Sequence, residues 1–210
     1  MEYILNPRLK LKNNPFRQIK GNKVNFIQRT SFAIFSWIAE NTYIPLPQDS
    51  PYSMTPAIKA LQKAKINFKT HEYSHDSTAE SYGLEAAEKM GVDAARVFKT
   101  LVVMLDTKDY AVGIIPVSNL LSMKYIAKAA GAKKAAMAAK DDVERMTGYV
   151  LGGVSPIGQK KHFKTFIDES AQKFGTIFVS AGRRGLEIEL SPRDLQSQTS
   201  AQFLLLTQEE

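Results

Sequence analysis

A change of texture near residue 53 does most to limit what this chain can build. Residues 1–53 hold five of the nine prolines (Pro7, Pro15, Pro45, Pro47 and Pro51) but one of the twelve glycines, Gly21. Apart from a candidate short helix over residues 31–40, they sustain neither the 3.6-residue period of an amphipathic helix nor the two-residue period of a strand. Pro45, Pro47 and Pro51 read as a linker. Residues 1–53 are therefore expected to be a poorly ordered extension. The fold is expected to come from the 157 residues from 54 to 210, enough for one domain that buries about 70% of the unfolded chain's surface.

Charge follows the same division. Lys and Arg outnumber Asp and Glu by 28 to 21, a net of +7. The extension supplies +4 of this, from seven basic and three acidic residues, and the rest of the chain only +3. A basic balance suits a polyanionic partner, nucleic acid or an anionic membrane, without choosing between them. The absence of cysteine excludes more. It rules out a disulfide framework, a Cys-based metal site and a protein thiol nucleophile. Three histidines (His71, His75, His162) make a histidine-rich metal site a poor expectation. No apolar run approaches the roughly 18 residues needed to span a bilayer. The short run 32–39 lacks the flanks of a signal peptide, so a cytoplasmic protein is expected.

From residue 54 onward, helices and strands alternate over short links. Thr55-Pro56 caps a helix carrying Ile58 and Leu61. Residues 68–73 suit a strand, and 84–90 a helix closed by Gly91. Residues 97–105 and 110–117, joined by a polar turn, predict a hairpin at the centre of a sheet. Ser122 and Gly131 bracket another helix, as do Asp141 or Asp142 and Gly148. Residues 176–180 and 186–190 predict a second hairpin, Ser191-Pro192 opens a last helix, and 203–206 suits a closing strand. Hairpins are as evident as crossovers, so the fold class is α+β rather than doubly wound.

Few residues advertise chemistry. His71 and His75 fall on a strand end and a turn, where four-residue spacing shares no face. They read as a solvated loop with one partly packed histidine. No Gly-x-Ser-x-Gly elbow occurs. Lys99 interrupts an apolar strand, where a charge is costly unless it faces a cleft, solvent or an anion. The run Gly152-Gly153-Val154-Ser155-Pro156-Ile157-Gly158 lets backbone N–H groups approach a ligand and can bind an anion or oxyanion. Taken alone it could equally be a tight surface turn, and it lacks the Gly-Lys-Ser/Thr ending of a P-loop. Lys160 and Lys161 begin a basic run. Gly182-Arg183-Arg184-Gly185 matches a KH-type Gly-x-x-Gly loop superficially. It joins two strands, however, and reads as a hairpin tip with two arginines suited to phosphate.

The runs Tyr82–Gly91, Arg96–Leu101, Gly131–Lys134, Thr147–Lys161 and Val179–Leu186 together resemble the YbaK family. These are free-standing aminoacyl-tRNA deacylases related to the editing domain of bacterial prolyl-tRNA synthetase. The resemblance covers residues 54 to about 206 and is greatest to the Cys-tRNA(Pro) branch. It implies a mixed, curved sheet with short surrounding helices, binding the acceptor end of an aminoacyl-tRNA. It implies that Lys99 holds the terminal nucleotide, that Gly152 and Gly153 face the ester, and that Tyr73, Ser180 and Gly182 line the aminoacyl pocket. Glu187 is the nearest match to an acidic residue that is often Asp in relatives. Lys160, Lys161, Arg183 and Arg184 are expected on a tRNA-binding rim. No metal or other cofactor is implied, because the substrate's own thiol can attack its ester. Prolyl-tRNA synthetase is the transient partner implied, and no membrane is. Two rival readings stay open, a deacylase for another mischarged tRNA such as Ala-tRNA(Pro) and a non-catalytic tRNA-binding module. Family members usually begin where Met54 lies, so an upstream start or a lineage-specific addition would also account for residues 1–53.

Overall fold

The computed structural model describes residues 54–79 and 81–208; the expectations for residues 1–53 lie outside the described residues. In chain order the elements are α1 (Pro56–Lys63), β1 (Phe68–Glu72), α2 (Tyr82–Met90), β2 (Val97–Leu105), β3 (Tyr110–Pro116) and α3 (Met123–Ala130). There follow β4 (Ala135–Met137), α4 (Lys140–Thr147), β5 (Lys164–Asp168), β6 (Ile177–Arg183), β7 (Leu186–Leu190), α5 (Pro192–Thr199) and β8 (Gln202–Leu204). Short 3₁₀ turns precede β2 and follow β5.

The helix boundaries follow from local chemistry. The Thr55 hydroxyl accepts the Ile58 N–H at 3.3 Å, and Pro56 occupies the first turn, where no N–H is missed. Ser81, Ser122 and Ser191 cap α2, α3 and α5 in the same way. Helices α2, α3 and α4 stop at Gly91, Gly131 and Gly148, all left-handed. Helix α4 begins at Lys140, just ahead of the expected Asp141 or Asp142, and its Ala139 makes no side-chain cap.

One mixed sheet runs β1-β7-β6-β2-β3-β5-β8, with β4 paired to β2. The β2/β3, β6/β7, β1/β7 and β2/β4 pairs are antiparallel, whereas β2/β6, β3/β5 and β5/β8 are parallel. Both expected hairpins are present. Strands β4 and β5 were not foreseen. The first is three residues long, and the second follows a basic run that hides its Thr-Phe-Ile core.

Strand alternation divides the core. On one face Phe98, Val102, Ile114, Val179 and Ile188 pack under Ile58 and Leu61 of α1, Val143 of α4 and Leu195 of α5. On the other face two separate clusters form. Val103, Ile115 and Phe166 meet Ile126 and Ala130 of α3. Val97, Val117 and Phe178 meet Ala86 and Ala87 of α2. Ile114 is fully buried in the larger cluster. Ile114→Ala is expected to cost about 2–5 kcal/mol, measured as a lower urea midpoint at unchanged slope.

Candidate active site

The gap between the two smaller clusters is where Lys99 lies. Along β2 it stands between Val97, packed toward α2, and Leu101, packed toward α3. Across the β2/β3 hairpin it faces Ile115. The parallel pair Phe98 and Val179 immediately precedes Lys99 and Ser180, so those two are neighbours on the same face. Ser180 in turn pairs with Glu187, and Glu187 with His71. Tyr73, just beyond β1, packs against the α2 cluster. Lys99, Ser180, Glu187 and Tyr73, picked out at four separate places in the chain, are thus gathered on one sheet face.

The Lys99 ammonium donates to the Val117 carbonyl at 3.2 Å and has no ion-pair partner among the described residues. Burial draws its pKa below the ordinary 10.5. Glu187 is only 7% exposed, and burial pushes its carboxyl up to about 8. At neutral pH it is therefore mostly an uncharged acid, able to donate a hydrogen bond. The Tyr73 hydroxyl is raised to about 12, by burial first and then by the Glu187 and Glu85 carboxylates. It stays a neutral O–H donor. Ser180 Oγ accepts from the Gly182 N–H at 3.3 Å.

Helix α2 forms one wall and brings a network that sequence reasoning missed. Buried Glu85 accepts the Asp76 N–H at 2.6 Å, contacts His75 Nδ1 at 2.8 Å and pairs with Lys89 at 2.9 Å. Burial works to raise its pKa. The Asp76 N–H, Lys89 and His75 outweigh burial and hold it below the usual value. His71 meets Glu189 at 2.9 Å. One partly packed histidine was expected; both are partly buried against carboxylates. The i,i+4 spacing of Glu85 and Lys89 was the only sequence signal for this network.

The glycine loop caps the end of the β6/β7 hairpin. The Gly153 N–H donates to the Val150 carbonyl at 3.0 Å, closing a four-residue turn. Gly152 sits in that turn at φ +81°, where only glycine is unstrained. A Cβ on Gly152 would lie 2.8 Å from the Tyr82 ring, and one on Gly153 would lie 2.9 Å from the Arg183 Cα. Both glycines are therefore required by close approach. The tight turn expected is present, with Val150 and Leu151 exposed at its tip, while Gly153 behind it is buried. Gly182 abuts the Tyr149 ring, where a Cβ would come within 2.5 Å.

Both hairpin arginines are engaged within the protein. Arg183 pairs with Glu72 at 2.6 Å. Arg184 donates from Nε and Nη2 to the Leu151 carbonyl at 3.0 and 2.9 Å and lies 4.9 Å from the Tyr82 ring centre. Lys160 and Lys161 lie elsewhere. The Lys160 stem crosses Gly148 at the end of α4. Lys161 lines an open cavity of about 550 Å³ with Lys59, Lys63 and His162, beside α1 on the sheet face opposite Lys99. The single basic rim expected around Lys99 is thus divided between two faces. Among the described residues no group of three His, Cys, Asp or Glu could hold a metal ion. No described helix is long and apolar enough to cross a membrane.

The match to known proteins agrees with this architecture. Residues 77–197 match the family described as the aminoacyl-tRNA editing domain. Over 159 residues the chain is 40% identical to EbsC of Enterococcus faecalis, named as a candidate Cys-tRNA(Pro)/Cys-tRNA(Cys) deacylase, covering 74% of this chain and 94% of that one. It is 30% identical over 111 residues to the uncharacterized protein YwhH of Bacillus subtilis, covering 53% of this chain and 70% of YwhH. A solved structure, a candidate trans-editing enzyme for prolyl-tRNA synthetase, has the same fold. Its TM-score is 0.66 at 21% identity, over 73% of this chain and 96% of that one. With the match spanning the Lys99 face and the glycine loop together, this chain belongs to the aminoacyl-tRNA editing domain family.

Proposed function

We propose that this protein is a cytoplasmic trans-editing deacylase that removes cysteine from mischarged Cys-tRNA(Pro). The observation that carries the reading is the Lys99 face itself. A half-buried cation with no ion-pair partner among the described residues shares its sheet face with a mostly neutral acid two strands away, and Ser180, on the strand between them, is tied to a backbone amide rather than to a base. Such a site suits holding an anion and stabilising a developing oxyanion, with the nucleophile supplied by the substrate.

In this mechanism Lys99 anchors the phosphate of the terminal nucleotide, while Tyr73, Ser180 and Gly182 shape the aminoacyl pocket. The cysteine sulfur, as thiolate, attacks its own ester carbonyl. A C–S bond forms, the bond from carbonyl carbon to ribose oxygen breaks, and the thiol proton ends on the ribose hydroxyl. The product is a cyclic thiolactone. Attack held within one molecule can enjoy an effective molarity on the order of 10⁵–10⁸ M. This explains how a chain without cysteine could work, and it calls for neither metal nor organic cofactor. Gly152 offers its N–H to the oxyanion. Gly153 contributes closeness of approach, since its own N–H is occupied by Val150. Neutral Glu187 supplies a further donor. Such editing is needed because a prolyl pocket rejects a smaller side chain by packing only about 10–200-fold. The lysines on the α1 face, Lys160 and Lys161 among them, contact the tRNA body, and prolyl-tRNA synthetase acts as a transient partner.

Deacylation of Cys-tRNA(Pro) and Ala-tRNA(Pro), measured side by side, tests this. Cysteine is expected to be released well above the spontaneous rate and alanine, which has no thiol, to persist. Equal rates would move the reading to a water-using deacylase. Salt-sensitive tRNA binding without any turnover would reduce the protein to a binding module.

A further inference from the structure

We infer that Arg184 is a positioning residue that aims the Gly152 N–H at the reacting ester. The inference rests on the deacylase reading above but assigns Arg184 a role different from the phosphate contact its place in a hairpin tip suggests.

Four observations converge on the peptide between Leu151 and Gly152. Its carbonyl accepts two N–H groups of one guanidinium, at 3.0 and 2.9 Å. A fork of two parallel donors fixes direction as well as distance, which a single donor cannot. The guanidinium is itself held over the Tyr82 ring, 4.9 Å from its centre, by attraction to the ring face. The same ring abuts Gly152, where a Cβ would lie only 2.8 Å away. Finally, the protein's described residues contain no cis peptide, so the Gly152 N–H points opposite to the held carbonyl.

The two glycine N–H groups are therefore not equivalent. Gly153 closes the turn onto Val150, whereas the Gly152 N–H has no acceptor among the described residues. A turn with a left-handed glycine is free to rock about that peptide, and rocking would swing the donor away from the oxyanion. Arg184 and Tyr82 clamp it from outside. A donor already aimed at the developing charge costs no reorganisation during reaction. Arg184 cannot at the same time offer those donors to an RNA phosphate.

The test compares wild type, Arg184→Ala and Arg184→Lys in single-turnover deacylation of Cys-tRNA(Pro). Losing one oxyanion donor outright typically costs on the order of 10²–10³ in rate. A misaimed donor in Arg184→Ala is expected to lower kcat about 10- to 100-fold, with KM changed less than about threefold. Arg184→Lys, a point charge without the fork, is expected to recover only part. Low-millimolar guanidinium, far below denaturing concentration, is expected to restore part of the alanine variant's rate, which a purely structural defect would not allow. A raised KM with kcat preserved and a weaker salt dependence would make Arg184 a phosphate contact and overturn the inference. So would an unchanged kcat. The amide resonance of Gly152 provides a readout independent of activity. It is expected to broaden or shift in Arg184→Ala while most other amides hold. An unchanged Gly152 resonance overturns the clamp even if wild type proves inactive, and inactivity of wild type alone counts against the deacylase reading.

Discussion

Lys99→Met is expected to lower deacylation by about 30- to 5,000-fold in kcat/KM while leaving the protein as stable as wild type or more so. The two effects have one cause. The ammonium lies on a mostly apolar strand, held among the described residues by the Val117 carbonyl, and burial lowers its pKa. Its folded pKa lies below its unfolded one, so stability from this group rises with pH through that window. At neutral pH the charged form is present in both states, and the folded state bears the cost of keeping it partly out of water. Methionine has a similar shape and no charge, so it relieves that cost. Because the side chain is half exposed, the gain is modest. What is lost is a charge-assisted contact to an incoming phosphate. Truncating one partner of such a pair typically costs about 2–5 kcal/mol, or roughly 30- to 5,000-fold in kcat/KM. Thermal unfolding and Cys-tRNA(Pro) deacylation, run on the same preparation, check both halves. A variant that is inactive and clearly less stable would mean that Lys99 is structural. A variant that stays active would remove it from the site.

The same uncompensated charge is also why Lys99 could be noticed in the sequence at all. A residue that breaks its local pattern without local compensation marks a functional position. Gly152 and Gly153 were visible for a similar reason, since glycine runs demand a backbone explanation. Most elements were equally legible, because their caps are local. Thr55, Ser122 and Ser191 start helices, and Gly91, Gly131 and Gly148 stop them, whereas the Ser81 cap was missed and α2 begins at Tyr82 rather than at residue 84. Strand β4 was not legible, because three residues carry too little pattern and its pairing with β2 is tertiary.

What the sequence concealed were partnerships. Nothing near Arg184 announces Leu151, 33 residues away, and nothing near Arg183 announces Glu72, 111 residues away. Two arginines in a hairpin tip therefore read as free donors. Lys161 likewise read as part of the Lys99 rim because of its proximity in sequence to the glycine loop. The loop crosses the end of the sheet between those residues. Gly152 meets Tyr82 of α2 on one face, whereas Gly158 meets Pro56 of α1 on the other. Charge attracted notice, but only the fold shows which charges are already satisfied.

Glu187 shows the same concealment in energetic form, and it carries the second large effect. It pairs with Ser180 and His71 on a strand flanked on both sides, next to an irregularity in the β6/β7 register, and alternation alone would allow it to face solvent. Instead it is buried, and its pKa is about 8 in the folded state against an ordinary 4.5. Between those values the folded protein keeps a proton that the unfolded chain has released. Stability from this group is therefore fully present below about pH 4.5 and is lost as pH rises toward 8. The loss approaches a tenfold change in the folding equilibrium per pH unit. Glu187→Gln keeps the shape and the hydrogen-bonding character of the neutral acid but cannot ionise. Compared by urea unfolding at several pH values, the two proteins are expected to match near pH 5. The glutamine variant should gain steadily from there to pH 8.5. Activity should follow the same logic if the neutral acid is the working form, with wild type falling above pH 8 and the variant staying level after correction for substrate-thiol ionisation. A stability difference that does not change with pH would mean that Glu187 is ionised in the fold, and the sheet face would then hold a carboxylate two strands from the lysine meant to bind the phosphate.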